Sequence, residues 1–205
     1  MIVDLEILHY RPGSEGAVTA AYGEALGARQ QVSPLIGYWT VEVGPLNSSL
    51  MLWTYEDAPE RARVAEVVSG LVPAFPPPLE VVLGAPVSLV LEPAPFNEPL
   101  EAGEHGGLYE IRTYDYEAGS IGEVIDRWAE RIDARRALSP LIGCFFASSG
   151  PTDKWVHIWA YKDPVERQQV RAEAVRAGIW PPLTGDLLLK QENLLARPSA
   201  FSLLH

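Results

Sequence analysis

The chain repeats itself. Ser33-Pro34-Leu35-Ile36-Gly37 returns 106 residues later as Ser139-Pro140-Leu141-Ile142-Gly143, and Gly44-Pro45 returns at the same offset as Gly150-Pro151. Trp53-x-Tyr55 likewise matches Trp159-x-Tyr161, and Asp57-x-x-Glu60-Arg61 matches Asp163-x-x-Glu166-Arg167. Four landmarks held at one spacing identify a tandem duplication of a unit of roughly a hundred residues. Any fold for this chain must therefore be built twice.

Each copy carries the same order of signals. In the second, Leu108–Tyr114 alternates as a strand, and Ser120-x-x-Glu123 reads as a capping box before a helix with Ile121, Val124, Ile125, Trp128 and Ile132 on one face. Pro140 ends that helix near Leu138. Strands over Leu141–Ser148 and Lys154–Tyr161 follow, joined by a turn at Ser149-Gly150-Pro151. Asp163-x-x-Glu166 opens a second helix that runs through Val170 and Val175 to about Gly178, and Asp186–Ala196 supplies a last strand. The first copy gives strands over Ile2–Tyr10, Leu35–Val43, Ser49–Tyr55 and Pro86–Glu92, with helices over Glu15–Val32 and Pro59–Leu71.

The order βαββαβ is the ferredoxin-like pattern. The expected organisation is a first unit over residues 1–92, a linker over 93–107 rich in Pro, Gly and Glu, and a second unit over 108–205. Two helices cover one face of each sheet, and the other copy is the natural cover for the second face. The expected fold class is thus α+β, two tandem ferredoxin-like units packed sheet to sheet as a pseudo-dimeric α+β barrel. One chain would hold both units such a barrel needs, so a monomer suffices, and further self-association stays open.

Composition narrows the partners. A net charge of −11 with no Lys/Arg cluster argues against nucleic acid. No apolar run approaches the ~20 residues of a spanning helix. Met1 leads straight into Ile2-Val3-Asp4-Leu5, and with a single cysteine, Cys144, a cytoplasmic location is expected. His9, His105, His157 and His205 have no Cys or carboxylate partners at metal-ligand spacing, so no metal site is expected. Phosphate-cradling glycine motifs and nucleophile elbows are also missing from the sequence.

Taken together, Tyr109-Glu110-Ile111-Arg112-Thr113-Tyr114, Ser139-Pro140-Leu141-Ile142-Gly143, Gly44-Pro45-Leu46-Asn47 and His157-Ile158-Trp159-Ala160-Tyr161 resemble the NIPSNAP family, over both halves. The resemblance implies membership of the dimeric α+β barrel superfamily, whose members include small monooxygenases and haem-binding enzymes. It brings no firmly assigned reaction. No cofactor is expected from the residues, and haem enters by superfamily analogy alone. The copies depart from one another: Leu8 is read where the second copy has Arg112, and Met51 where it has His157, so a polar site is expected to be lopsided.

Strand alternation places these residues on faces. Val156, Ile158 and Ala160, with Tyr109 and Ile111, are expected to face the helices. That sends Trp155, His157, Trp159 and Tyr161, with Glu110, Arg112 and Tyr114, into the barrel, and the same holds for Glu6, Leu8, Tyr10, Met51, Trp53 and Tyr55 in the first copy. His157 is the expected proton acceptor and Tyr114 a second catalytic group, since an imidazole titrates near neutral pH. Glu110, Arg112, Trp159, Tyr161, Tyr10, Trp53 and Tyr55 are the expected substrate-binding wall. Two functions compete: a binder or transformer of a small, partly apolar molecule, of the cofactor-independent monooxygenase or isomerase kind, and a non-catalytic interaction module with a solidly packed barrel. In the second, Glu110 and Arg112 are simply a satisfied charge pair.

Overall fold

The computed structural model describes residues 1–72, 74–147 and 153–205. The expected turn at Ser149-Gly150-Pro151 lies outside them. In chain order the elements are β1 (Ile2–His9), α1 (Glu15–Gln30), β2 (Leu35–Val43), β3 (Ser48–Tyr55), α2 (Ala58–Val68) and β4 (Val87–Pro93), then β5 (Leu108–Tyr116), α3 (Ile121–Arg136), β6 (Leu141–Ala147), β7 (Asp153–Tyr161), α4 (Pro164–Arg176) and β8 (Leu188–Pro198). The twelve elements are the twelve expected ones. The fold is α+β, with βαββαβ written twice.

Two compact units result, one of residues 1–91 and 197–205, the other of residues 92–196. In the first, β1 pairs antiparallel with β3 and β4, and β3 with β2. The second reproduces this arrangement, with β5 between β7 and β8 and β6 beyond β7. Residues 93–107, read from sequence as a linker, belong to the second unit. Ala94 is buried and donates its N–H to the Cys144 carbonyl at 2.9 Å, while the Asn97 amide bonds both backbone groups of Cys144, so the segment continues strand pairing with β6. Conversely, the segment 197–205 belongs to the first unit, where Ser202 Oγ accepts from Tyr38 N and the Phe201 ring lies 4.9 Å from that of Tyr38.

Helix starts divide by chemistry. Asp57 and Asp163 cap α2 and α4 by accepting from Glu60 N and Glu166 N respectively, and each of those glutamates reaches back to a backbone N–H. Ser120 does not form the expected box: its hydroxyl donates to the Glu117 carbonyl at 2.7 Å and caps nothing in α3. The N–H of Ile121 is instead met by Asp153 at 2.8 Å, a carboxylate delivered from β7. Of the apolar residues expected to anchor α4, Val175 is exposed, and Ala174 is the residue the helix buries.

The largest departure from expectation is which sheet face meets the helices. Trp155, Trp159, Tyr161 and Tyr114 pack in one cluster with Val124, Trp128 and Ile132 of α3, and His157 sits 4.7 Å from the Trp128 ring. Leu8, Tyr10, Met51, Trp53 and Tyr55 similarly pack with Val18, Tyr22 and Leu26 of α1 and Val64 of α2. The aromatic and polar set therefore faces the helices, and by alternation Tyr109, Ile111, Val156, Ile158 and Ala160 take the other face. Burial cannot distinguish the two sets, since Val156, Ile158 and Ala160 are as buried as the rings. Ring packing and charge do. Trp128 of α3 and Tyr22 of α1 bring rings of their own to this face, and Arg135, buried in the last turn of α3, needs the Tyr161 hydroxyl beneath it.

Candidate functional site

In each unit the space between sheet and helices is built on one frame. Arg29, at the end of α1, is 4% exposed, and its guanidinium carbon lies 4.0 Å above the Trp53 ring. Its nitrogens donate to the Ser33 carbonyl and the Tyr55 hydroxyl, both at 3.0 Å. Arg135 does the same over Trp159 at 4.0 Å, donating to Ser139 Oγ and the Tyr161 hydroxyl, both at 2.9 Å. Burial lowers the pKa of both arginines and raises that of both tyrosines, while each Arg–Tyr contact works against its own shift. The arginines stay cationic all the same.

A second shared part is a buried acid on the first strand, paired with an arginine of the second helix. Asp4 of β1 meets Arg61 at 2.6 Å, and Glu110 of β5 meets Arg167 at 2.6 Å. Both arginines belong to the repeated Asp-x-x-Glu-Arg landmark, so the repeat carries this pairing in each copy.

The units differ in what surrounds this frame. Glu6 and Met51 are directly opposite across β1 and β3, whereas Arg112 and His157 hold that pair of positions across β5 and β7, so the register makes Glu6, and not Leu8 as read from sequence, the counterpart of Arg112. On the second helix, Ala65 is replaced by Arg171. In the first unit the consequence is a cavity of about 320 Å³ lined by Glu6, Tyr22, Arg29, Met51, Trp53 and Phe75. Glu6 Oε2 accepts from Trp53 Nε1 at 3.0 Å and makes no ion pair among the described residues. Burial chiefly, with the nearby Asp4 charge, pushes its carboxyl above the ordinary range, against the Trp53 hydrogen bond and the charges of Arg29 and Arg61.

In the second unit charge gathers around the buried acid. Glu110, with no exposed surface, receives Arg167, Arg112 at 3.3 Å, Arg171 at 3.5 Å and the Tyr161 hydroxyl at 3.4 Å. Burial pushes its carboxyl up, but the Arg167 hydrogen bond together with the charges of Arg171 and Arg112 outweighs this and holds it below the ordinary value. His157 is 1% exposed and lies between Trp128, Tyr114 at 4.9 Å and Trp159 at 6.3 Å. Its Nδ1 accepts from Trp159 Nε1 at 2.7 Å, which puts the ring proton on Nε2. Burial, and then Arg112, Arg135 and Arg171, drive its pKa well below 6.5, so the ring is neutral at pH 7 and a poor proton acceptor. Tyr114 is pushed up to about 12, by burial above all.

The structure thus gathers His157, Tyr114, Glu110, Arg112, Trp159 and Tyr161 in the second unit, and Trp53 and Tyr55 at the cavity of the first. Tyr10 lies in the first unit's core with its hydroxyl 3.4 Å from Ser49, and does not line that cavity. Arg29, Arg135, Arg171 and Phe75 are additions to the expected set. A signal for two of them was present, because Ala28-Arg29-x-x-x-Ser33 recurs as Ala134-Arg135-x-x-x-Ser139. A macrocycle the size of haem does not fit at His157, which is 1% exposed and packed against Trp128 and Tyr114. Among the described residues, no group of three or more His, Cys, Asp or Glu could hold a metal ion, and no helix is long and apolar enough to cross a membrane.

With this geometry in hand, comparison with known proteins is decisive on kinship. The NIPSNAP family model matches residues 3–72 and 109–203, once in each unit. The chain belongs to the NIPSNAP family. It is 27% identical to the mouse protein NipSnap homolog 2, over 83% of this chain and 63% of that protein. A candidate NipSnap protein of Caenorhabditis elegans is 25% identical over 95% of this chain and 39% of its own length. The present NIPSNAP chain therefore spans less than two thirds of these relatives. In fold, it is similar across 96% of its length to a candidate monooxygenase of Fusobacterium nucleatum, with a TM-score of 0.61, 9% identity and 91% of that chain covered.

Proposed function

We propose that the first unit binds a small molecule with an apolar body and a carbonyl group, and that Glu6 moves a proton on it. The observation that carries this reading is the cavity of about 320 Å³, in which aromatic and thioether walls surround a carboxylate that no cation neutralises by direct contact. Such walls supply contact area, and a few polar groups supply orientation. A carboxylate whose pKa is lifted by burial is suited to accept a proton from a weakly acidic C–H. Arg29 lines the same cavity and supports a developing enolate oxygen by its charge. Glu6 then returns the proton to the enolate at its opposite face or at another atom, which makes the class isomerisation and consumes no redox partner. The fold shared with a candidate monooxygenase is compatible with this reading, but at 9% identity the chemistry rests on the cavity.

The proton-accepting role is given to Glu6 and not to His157 for a physical reason: His157 is buried and held neutral, while Glu6 borders open volume. For Glu110 the arrangement favours the structural alternative, a charge pair closed by arginines.

The test uses phenylacetone as probe. Saturation-transfer NMR reports binding, and loss of its α-proton signals in deuterium oxide reports proton transfer. Binding with protein-dependent exchange is expected, and Glu6→Gln should bind comparably while losing exchange about 100-fold. Exchange unchanged in Glu6→Gln, or no contact with the probe at millimolar concentration, overturns the proposal.

A further inference from the structure

The second unit poses a separate problem of charge. Around the frame of the first unit, Arg29 and Arg61 face Asp4 and Glu6, two cations against two anions. In the second, Arg112, Arg135, Arg167 and Arg171 surround Glu110 alone, with His157 neutral, which leaves a net +3 in a chain whose overall charge is −11.

Glu110 does not saturate these donors. A carboxylate offers about four lone-pair sites and each guanidinium carries five N–H donors. The contacts from Arg112 and Arg171, at 3.3 and 3.5 Å, are long beside the 2.6 Å contact from Arg167. Arg112 Nε, Arg167 Nε and His157 Nε2 are buried without a hydrogen-bond partner among the described residues. Unmet buried donors are costly, and here two belong to arginines that meet at Glu110 and the third to the cross-strand neighbour of Arg112.

We infer that the second unit holds a seat for a small oxyanion, a carboxylate or a phosphate, taken up between Arg112, Arg171 and His157. The three side chains come together by construction. Arg112 and His157 are cross-strand neighbours on the face that meets the helices, and Arg171 descends from α4 to the same carboxylate as Arg112. His157 supplies an N–H directed by the Trp159 bond on its other nitrogen, and the two guanidiniums supply charge and paired donors. Access comes along Arg171, whose side chain is 41% exposed, beside Arg112 at 15%. The three positions that make the seat are those at which the first unit carries Glu6, Ala65 and Met51. Duplication has thus left one copy with a cavity and given the other the means to hold an anion. The seat does not depend on Glu6, and its failure leaves the reading of the first unit standing.

Inorganic phosphate and benzoate, each against sodium chloride of equal ionic strength, are the probes, and calorimetric titration and the thermal midpoint are the readouts. At least one probe is expected to bind with submillimolar Kd and to raise the midpoint beyond the chloride control. Phosphate alone identifies a phosphoryl ligand, benzoate alone a carboxylate, and either result supports the seat. Arg171→Gln, a change at a partly exposed side chain, is expected to weaken binding at least tenfold. Arg112→Gln gives a second variant with the same expectation. Lys190→Gln removes an exposed cation of the same unit and should leave binding unchanged. The inference is overturned if neither probe exceeds the chloride control, if Arg171→Gln and Arg112→Gln bind as the native chain does, or if Lys190→Gln weakens binding equally.

Discussion

The two units of this NIPSNAP chain share a skeleton and differ in what it encloses. Arg29 over Trp53 and Arg135 over Trp159 are superimposable in description, down to the tyrosine hydroxyl each guanidinium bonds and the 4.0 Å stacking distance. Three substitutions around that skeleton separate an aromatic cavity bordered by Glu6 from a layer in which cations outnumber the acid. The frame is what the fold needs, since a buried arginine must have partners wherever it occurs. The three variable positions are where the copies became free to diverge.

The largest expected difference between the units lies in their buried acids. Glu110→Ala strips Arg112, Arg167 and Arg171 of the carboxylate they share and should cost about 3–5 kcal/mol, read from the urea midpoint. Asp4→Ala should cost about 2 kcal/mol less, because Arg61 is 35% exposed and water can take over. Equal losses would break the claim that the two charge layers differ.

A middling effect separates the units by pH. The unfolded chain protonates His157 near pH 6.5 while the folded chain resists it, so stability is full above pH 6.5 and falls as the pH drops below it. The slope is about 1.4 kcal/mol per pH unit, or about 2 kcal/mol between pH 6.5 and 5. His157→Met, the side chain of the first unit, should flatten that slope. Glu6 has the opposite sign: its raised pKa gives a contribution fully present below pH 4.5 and lost as the pH rises through the folded value, and Glu6→Gln should remove it. Urea titrations of both variants across this range would show the two slopes change in opposite directions.

The smallest effect sharpens the frame itself. Arg135 bonds the Ser139 hydroxyl, but Arg29 bonds the Ser33 carbonyl, and the Ser33 hydroxyl goes to the Thr54 carbonyl at 3.2 Å. Ser139→Ala should therefore cost about 1.5–3 kcal/mol and Ser33→Ala about 0.5–1.5 kcal/mol, the charged hydrogen bond being the stronger. Thermal midpoints of the pair decide it.

The duplication and the order of elements were legible because repeated motifs and period-two alternation leave traces in any single sequence. Asp57 and Asp163 were legible as caps because their carboxylates need only local backbone. The facing of the strands was not. On β7 both alternating sets are apolar, so the period separates Trp155, His157, Trp159 and Tyr161 from Val156, Ile158 and Ala160 without saying which set meets a helix. Arg135 escaped for a related reason: arginine in the last turn of a helix ordinarily serves the dipole from solvent, and its burial depends on Trp159 and Tyr161 arriving from a distant strand. The side chains named as one set do share a face of their sheet, but that face meets the helices and not the barrel interior.

Because residues 197–205 complete the first unit, the order of synthesis and the order of completion run opposite to one another. As the ribosome delivers the chain, the earlier repeat waits without Phe201, Ser202 and Leu204 until the later one has been made. Separating the halves at the middle would thus yield an amino-terminal piece deprived of its own packing, so expression and partner-screening work on this protein should keep the polypeptide whole.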